Sequence, residues 1–258
     1  MADLKTAEAV TAKAVTARSA AASGAGAVVL SVTDLQAWYG ESHILHGINF
    51  NVNAGEVVTL LGRNGAGKTS TLKSVMGIIG KRTGSIRFND QDITRASSDR
   101  IARMGVAFCP EERGIFASLD VCENLMLPPI VRSGGLSLDQ IFELFPNLKE
   151  RLSSQGTKLS GGEQQMLAIA RILRTGARFL MLDEPTEGLA PVIIQQIGQT
   201  IARLKSEGFT ILLVEQNFRF AATVTDRFYI VEHGRIIDGF ANAELQANMD
   251  KLHTYLGV

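Results

Sequence analysis

A glycine-rich stretch followed by lysine and threonine has the spacing of a loop that binds phosphate. The stretch "GRNGAGKT", Gly62 to Thr69, matches the pattern G-x-x-x-x-G-K-[ST] between an apolar run and a predicted helix. Backbone N–H groups of such a loop surround phosphate oxygens, Lys68 reaches the β- and γ-phosphates, and the Thr69 hydroxyl can bind Mg²⁺. The residues predicted to hold a nucleotide here are Gly62, Arg63, Asn64, Gly65, Ala66, Gly67, Lys68, Thr69 and Ser70.

Two acidic residues follow the apolar run in "FLMLDEP". Asp183, at the predicted end of a buried strand, can hold Mg²⁺ directly or through water. Because side chains alternate along a strand, Glu184 is predicted to face away from Asp183 and towards an attacking water, as general base or water-orienting group. An acidic strand end that caps the next helix would look the same, but the loop at Gly62 to Thr69 favours the catalytic interpretation.

The stretch "LSGGEQQ", Leu159 to Gln165, is a second candidate for phosphate binding. Ser160 and Glu163 have the spacing of a capping box that opens a helix. Gly161 and Gly162 would each weaken that helix start by roughly 0.5–1 kcal/mol relative to alanine. Their missing side chains would instead let a phosphate approach the positive end of the helix dipole.

The elements that carry these residues follow an alternating pattern. The apolar runs "VVTLL", "FLML" and "ILLV" have the length of buried strands, and helices are predicted at about 68–76, over "EQQMLAIARILR", and over "IIQQIGQTIARLKSEG" up to Gly208. This alternation predicts an α/β fold with a parallel sheet covered on both faces, whose ligands bind at the C-terminal strand ends. The stretches "VVLSVTDLQAWY" and "GSIRFNDQDI" are typical of antiparallel strands.

Composition limits the function classes. The chain has 258 residues, 45% hydrophobic, and 26 Lys and Arg against 26 Asp and Glu, which disfavours a general nucleic-acid binder. No apolar run approaches the ~18 residues that cross a bilayer, so any work at a membrane would go through partners. Residues 1–27, rich in Ala, Thr and Ser, are predicted to be a flexible tail.

The order of the three motifs resembles the nucleotide-binding subunit of an ABC transporter, and the resemblance covers the chain from Val28 to its C-terminus. It implies a P-loop NTPase cassette at 28–258, with a parallel core sheet, an antiparallel β subdomain and a small helical lobe at about 111–165. In that family two cassettes pair head to tail. Ser160, Gly161 and Gly162 would then contact the γ-phosphate of the partner's ATP.

The resemblance also assigns roles to single residues. Tyr39 occupies the place of the aromatic residue that stacks on adenine, with Trp38 as the competing candidate. Glu111 stands where most cassettes have a glutamine that senses Mg²⁺ and touches the membrane subunit. Gln216 stands where most have a histidine that contacts the γ-phosphate; its amide can donate but cannot become cationic. The stretch "TEGLAP" replaces the commoner loop that contains aspartate.

These variants together look like one branch of the family, the second ATPase of branched-chain amino-acid importers and its urea or amide relatives. The branch implies ATP and Mg²⁺ as ligands and Glu184, Lys68 and Gln216 as catalytic residues. It also implies a second ATPase subunit (homo- or heterodimer), two permease subunits, indirect contact with a solute-binding protein, and a peripheral location on the cytoplasmic face of the inner membrane. A soluble ABC ATPase and a non-catalytic ATP-binding subunit are the alternatives.

Overall fold

The computed structural model describes residues 26–256, so the predicted tail at 1–27 lies almost wholly outside the described residues. The strands are β1 (Val28–Tyr39), β2 (Ser42–Asn53), β3 (Val57–Leu61), β4 (Lys81–Phe88), β5 (Gln91–Asp92), β6 (Val106–Cys109), β7 (Phe179–Asp183), β8 (Thr210–Glu215), β9 (Arg227–Glu232) and β10 (Arg235–Ala241). The α-helices are α1 (Lys68–Val75), α2 (Ser98–Arg103), α3 (Val121–Met126), α4 (Leu138–Leu144), α5 (Pro146–Glu150), α6 (Gly161–Leu173), α7 (Pro191–Ser206), α8 (Phe218–Val224) and α9 (Met249–Leu256).

The central sheet carries the apolar runs. Within the described part of the chain its strand order is β10-β9-β3-β8-β7-β6, and every neighbouring pair is parallel except β9 and β10. Every residue of β3, β7 and β8 is buried, because these strands lie inside the sheet and are covered on both faces. The parallel sheet is therefore confirmed, and the loops after these three strands emerge at one edge.

A second, antiparallel sheet has the order β2-β1-β4-β5 in the described residues. Its inward side chains, among them Leu30 and Phe50, share one hydrophobic cluster with Leu60 and Met181 of the central sheet. This sheet confirms the antiparallel strands predicted from the sequence. Tyr39 is the last residue of β1 and lies directly before the turn into β2.

A buried ion pair links the two sheets. Arg227 at the start of β9 donates to both carboxylate oxygens of Glu56 at 2.8 Å and to Asn51 of β2. Both charged side chains are almost fully buried. Removing one partner of such a pair typically costs about 3–5 kcal/mol, because the other charge is left uncompensated.

The helix boundaries follow local chemistry. Helix α6 begins at Gly161, two residues before the predicted start, because the capping box at Ser160 and Glu163 closes its first turn. Helix α7 ends as predicted, since Gly208 just beyond it has a φ of +83°, the left-handed conformation that glycine adopts readily.

Three short helices, α3, α4 and α5, lie between β6 and α6. Their buried residues Val121, Leu125, Phe145 and Leu148 belong to the same hydrophobic cluster as Leu173 of α6. Four large apolar side chains of this segment are exposed: Phe116, Met126, Leu127 and Ile130. Within residues 26–256, no helix combines the length and the apolarity needed to cross a bilayer.

Candidate functional site

The glycine-rich loop joins β3 to α1 at the C-terminal edge of the central sheet. Gly65 and Gly67 have φ values of +80° and +107°, which L side chains rarely adopt, so the loop needs glycine at both positions. A Cβ on Gly62 would lie 2.3 Å from the carbonyl oxygen of Val231, so glycine is required there by a close backbone approach. The loop thus has the curled backbone that exposes N–H groups to an anion.

Lys68 is held by the loop and by an acid. Its side chain is 3% exposed, and its Nζ donates to the carbonyl oxygens of Gly62 at 2.9 Å and of Arg63 at 3.1 Å. The same Nζ lies 3.0 Å from Oε1 of Glu184. A phosphate that reaches Lys68 would therefore compete with Glu184 for the ammonium.

Glu184 lies just beyond the end of β7, so the alternation of side chains along a strand does not set the direction of its carboxylate. Its φ is +43°, an uncommon left-handed conformation for a glutamate, and its N–H donates to the carbonyl of Val214 at 2.9 Å. The predicted reason for its direction was wrong, because the strand ends at Asp183 and the backbone turns. Asp183 contacts Thr69 and Glu184 contacts Lys68, so both carboxylates face the first turn of α1.

Asp183 is fully buried and only half satisfied. Its Oδ1 accepts a hydrogen bond from Oγ1 of Thr69 at 2.9 Å, whereas Oδ2 is buried with no hydrogen-bond partner among the described residues. Burial raises the pKa of Asp183 to about 6, with the charges of Glu184 and Glu111 adding to the rise and the Thr69 hydrogen bond opposing it. A cation beside Oδ2 would satisfy this oxygen and favour the ionised form.

These donors fit a magnesium ion that shares its ligands with a substrate. Across residues 26–256, no group of three or more His, Cys, Asp or Glu has the geometry to hold a metal on its own. Mg²⁺ in nucleotide sites usually takes one or two protein ligands and fills its octahedron with phosphate oxygens and water. Thr69 and Asp183 match that pattern, and Thr69 and Glu111 line one cavity at the P-loop.

A cavity of about 270 Å³ brings together the P-loop, Glu111 and Glu184, whereas Asp183 and Tyr39 are not among the described residues that line it. It is lined by Ile44, Asn64, Gly65, Gly67, Lys68, Thr69, Ser70, Glu111, Glu184 and Glu187. Glu187 was not singled out from the sequence, although it stands three residues after Glu184. A hydrogen bond to Glu184, desolvation, the charges of Glu184 and Glu111 and a hydrogen bond to Glu111 raise the pKa of Glu187. A negatively charged phosphate would enter this acidic cavity only with a cation to offset the repulsion.

The aromatic pair at the end of β1 is resolved by its contacts. The Trp38 ring stacks on His43 with a centroid distance of 4.4 Å, and Nζ of Lys81 lies 5.7 Å from the Trp38 centroid. Tyr39 exposes 51% of its surface. These contacts favour Tyr39 over Trp38 as the ring available to stack on a base.

The second phosphate candidate lies away from the cavity. Ser160, Gly161 and Gly162 are not among the described residues that line it. A Cβ on Gly162 would lie 2.9 Å from Cγ1 of Ile193, so the packing of α6 against α7 already requires this glycine. A Cβ on Gly161 would lie 3.3 Å from the flexible end of Arg113 and 3.6 Å from Cδ2 of Leu189, an ordinary van der Waals contact. Glycine at position 162 is thus required by helix packing, a reason that the sequence did not indicate.

Gln216 follows β8 and is exposed, outside the cavity lining. The residue before it, Glu215, is 2% exposed, and burial raises the pKa of Glu215 to about 7. Sequence reasoning passed over Glu215, because an acid after an apolar run gives no sign that its carboxylate is buried.

The profile of the ABC transporter family matches residues 45–187, which is more than half of the chain. The chain belongs to this family. Among relatives of this ABC cassette, the high-affinity branched-chain amino acid transport ATP-binding protein BraG of Pseudomonas aeruginosa is 41% identical over 232 residues, 89% of this chain and 100% of BraG. The lipopolysaccharide export system ATP-binding protein LptB of Escherichia coli is 34% identical over 234 residues, 88% of this chain and 97% of LptB.

The fold of the ABC cassette is shared with solved structures. A nucleotide-free ATP-binding cassette from an ABC transporter superposes with a TM-score of 0.77 at 23% identity, covering 90% of this chain and 99% of that one. This likeness confirms the predicted fold. As a member of the family, the chain is an ATP-binding cassette whose ATP hydrolysis is coupled to transport.

Proposed function

We propose that this chain is the ATP-hydrolysing subunit of an importer for branched-chain amino acids. The observation that carries the catalytic part is the meeting of Lys68 and Glu184 in the P-loop cavity, with Asp183 hydrogen-bonded to Thr69 of its lining. The solute is supported by BraG, which matches over its whole length at 41% identity. LptB has an export name at 34% identity, so family membership alone leaves the solute open.

ATP would bind with its phosphates in the P-loop and its adenine against Tyr39. Lys68, Ser70 and the backbone N–H groups of the loop hold the phosphates, and Thr69 and Asp183 hold Mg²⁺, with Glu111 on the same wall. The bound ion neutralises phosphate charge and polarises the γ-phosphate. The unpartnered Oδ2 of Asp183 supports this assignment.

Glu184 would act on the water that attacks the γ-phosphate. Its carboxylate lies 3.0 Å from the ammonium that reaches this phosphate in P-loop proteins, so Glu184 needs little movement to face it. When the γ-phosphate takes over Lys68, the carboxylate is released to orient the water and accept its proton. Gln216 then donates its amide hydrogens to the γ-phosphate.

A second cassette would complete the site. The turn formed by Ser160, Gly161 and Gly162 lies outside this chain's own cavity, which fits a role over the ATP of a partner, in a homo- or heterodimer. We further propose that residues 28–258 form one nucleotide-binding domain with a helical lobe at about 111–165. Two permease subunits would dock on that lobe, hold the pair at the cytoplasmic face of the inner membrane and receive solute from a binding protein.

The test is ATP turnover of the Glu184→Gln variant in the complex that co-purifies from membranes. Loss of a general base typically lowers turnover by about 10²–10⁴-fold, while the amide leaves the P-loop intact and ATP stays bound. Glu207→Gln changes an exposed carboxylate that lies between α7 and the start of β8, outside the proposed helical lobe, and is the matched control. Turnover at the parental rate in Glu184→Gln would remove Glu184 from its role.

Turnover assays on the same complex identify the solute and distinguish the alternative classes of ATPase. Leucine, delivered with the co-purifying solute-binding protein, should stimulate turnover, whereas urea should not. Stimulation by urea alone would assign the chain to the urea and amide branch. Recovery of the active chain without permease subunits would favour a soluble ATPase, and ATP binding without turnover at this chain's own site would favour a non-catalytic subunit.

A further inference from the structure

Glu215 is a buried acid that none of the roles above uses. It is the last residue of β8, which lies between β3 and β7 in the sheet, and it immediately precedes Gln216. Glu215 therefore lies between the strand end that leads into the P-loop and the strand end that carries Asp183. Only 2% of Glu215 is exposed.

The carboxylate of Glu215 accepts hydrogen bonds from two separate loops. Its Oε1 accepts from the hydroxyl of Thr186 at 2.8 Å and from the N–H of Thr186 at 3.3 Å. Its Oε2 accepts from the N–H of Asn217 at 3.1 Å. One side chain thus ties the loop that follows Glu184 to the loop that begins with Gln216.

Both tied loops need support. Glu184 has the left-handed φ of +43°, and such strain persists only where the surroundings fix the backbone. Thr186, two residues later and 4% exposed, is anchored by two of the three hydrogen bonds. On the other side, the bond to the N–H of Asn217 fixes the backbone directly after the exposed Gln216.

Burial of this acid is unfavourable for the fold alone. Desolvation of a carboxylate is only partly compensated by three neutral donors, and a well-packed apolar side chain of similar volume would often be as stable. What an apolar side chain could not do is accept hydrogen bonds from both loops at once.

We propose that Glu215 is a positioning residue that holds Gln216 in register with Glu184 by bridging their two loops. This inference rests on the proposed function, because it takes Glu184 and Gln216 as the groups that act on the γ-phosphate and its attacking water. The bridge keeps the two groups at a fixed separation, and small misplacements of reacting groups reduce rate far more than binding.

Three variants test the bridge. Glu215→Gln leaves one acceptor oxygen and turns an amide N–H₂ towards the donors of the other loop, so one tie is lost. Thr186→Val removes the hydroxyl donor with little change of shape, and Thr186→Ser keeps the donor as the matched control. In the purified transporter complex we expect kcat to fall about tenfold or more in the first two, with the KM for ATP changing less than about twofold. Thr186→Ser should stay within about twofold of the parent.

Thermal unfolding of each variant is measured beside kcat. Parental kcat in a folded Glu215→Gln and in Thr186→Val would overturn the proposal, as would an equal loss in Thr186→Ser. A rise of KM for ATP as large as the fall of kcat would also overturn it, because that points to a general disturbance of the nucleotide site.

A double variant asks whether Glu215 acts through Gln216. If it does, Glu215→Gln combined with Gln216→Ala loses less than the product of the two single losses, because Gln216→Ala has already removed the group that the bridge positions. Losses that multiply would overturn the proposal. Glu184→Gln is run in parallel: parental turnover there would defeat the proposed function itself, whereas an inactive Glu184→Gln beside fully active bridge variants would defeat only this inference.

Discussion

At the scale of single residues, the site holds charged groups whose contacts would change when a nucleotide and a cation bind. Lys68 is neutralised by Glu184 at 3.0 Å, and Asp183 keeps one buried oxygen without a hydrogen-bond partner among the described residues. Both arrangements are less favourable than they would be with a phosphate on Lys68 and a cation on Asp183. A cation that enters together with a phosphate would therefore stabilise the ionised form of these desolvated acids.

Replacing Asp183 with asparagine should stabilise the protein in the absence of nucleotide and metal. Burial raises the pKa of Asp183 from its ordinary value of 3.8 to about 6, so the stability that this group contributes is lost as the pH rises between those values. At pH 7.5 the ionised group thus destabilises the fold by roughly 2–3 kcal/mol, and Asp183→Asn should raise the melting temperature by several degrees. The same variant should lose Mg²⁺-dependent turnover. A lower melting temperature at pH 7.5 would contradict this account.

The positions of the site residues were partly predictable. Motif spacing identifies Lys68, Asp183 and Glu184, and their contacts lie at the first turn of α1, while their roles stay predictions. The direction of Glu184 did not follow, since an apolar run does not reveal at which residue its strand ends. Glu215 did not follow either, because its partner Thr186 is 29 residues away in the chain and only the parallel pairing of β7 and β8 brings them together.

At the scale of elements, helix α6 carries the serine and the two glycines on a rigid support. The capping box at Ser160 and Glu163 is formed as predicted. The two glycines differ in their surroundings, because only Gly162 is buried, against Ile193 of α7. The sequence predicted the helix and its capping box, whereas the close approach of α7 depends on how the helices pack.

Gly162→Ala should destabilise the protein, since the added Cβ would lie 2.9 Å from Ile193. Overpacking of this kind typically costs about 1–3 kcal/mol, measurable by chemical denaturation. Adding Ile193→Ala removes the colliding atoms and should restore most of the loss. Gly161→Ala is the control and should change stability by less than about 1 kcal/mol, because its Cβ would come no closer than 3.3 Å to the end of Arg113 and 3.6 Å to Leu189.

The double variant also separates packing from phosphate binding. If Gly162 serves only the contact with Ile193, turnover should recover together with stability. If Gly162 also lies against the partner's phosphate, turnover should stay low while stability recovers, and our proposed function predicts this second outcome.

At the scale of the whole molecule, the proposed function gives one chain two half-sites. The sheet order brings the ends of β3, β8 and β7 together and so builds the P-loop cavity with its acids. The turn at Ser160 lies outside the residues that line this cavity. The α/β class and both sheets could be predicted from the alternation of apolar runs and helices. The head-to-tail pairing of half-sites involves two chains. A single sequence indicates this pairing only through its resemblance to a family.

The most direct test of this account is photolabelling of the assembled transporter with an ATP analogue that carries a photoreactive group on its γ-phosphate. Peptide mapping should find label on Leu159–Gln165 as well as on the P-loop, and only when the cassettes are paired. Excess unmodified ATP should abolish both labels. Label that stays confined to the P-loop in the paired, ATP-saturated complex would contradict the claim that two cassettes share each nucleotide.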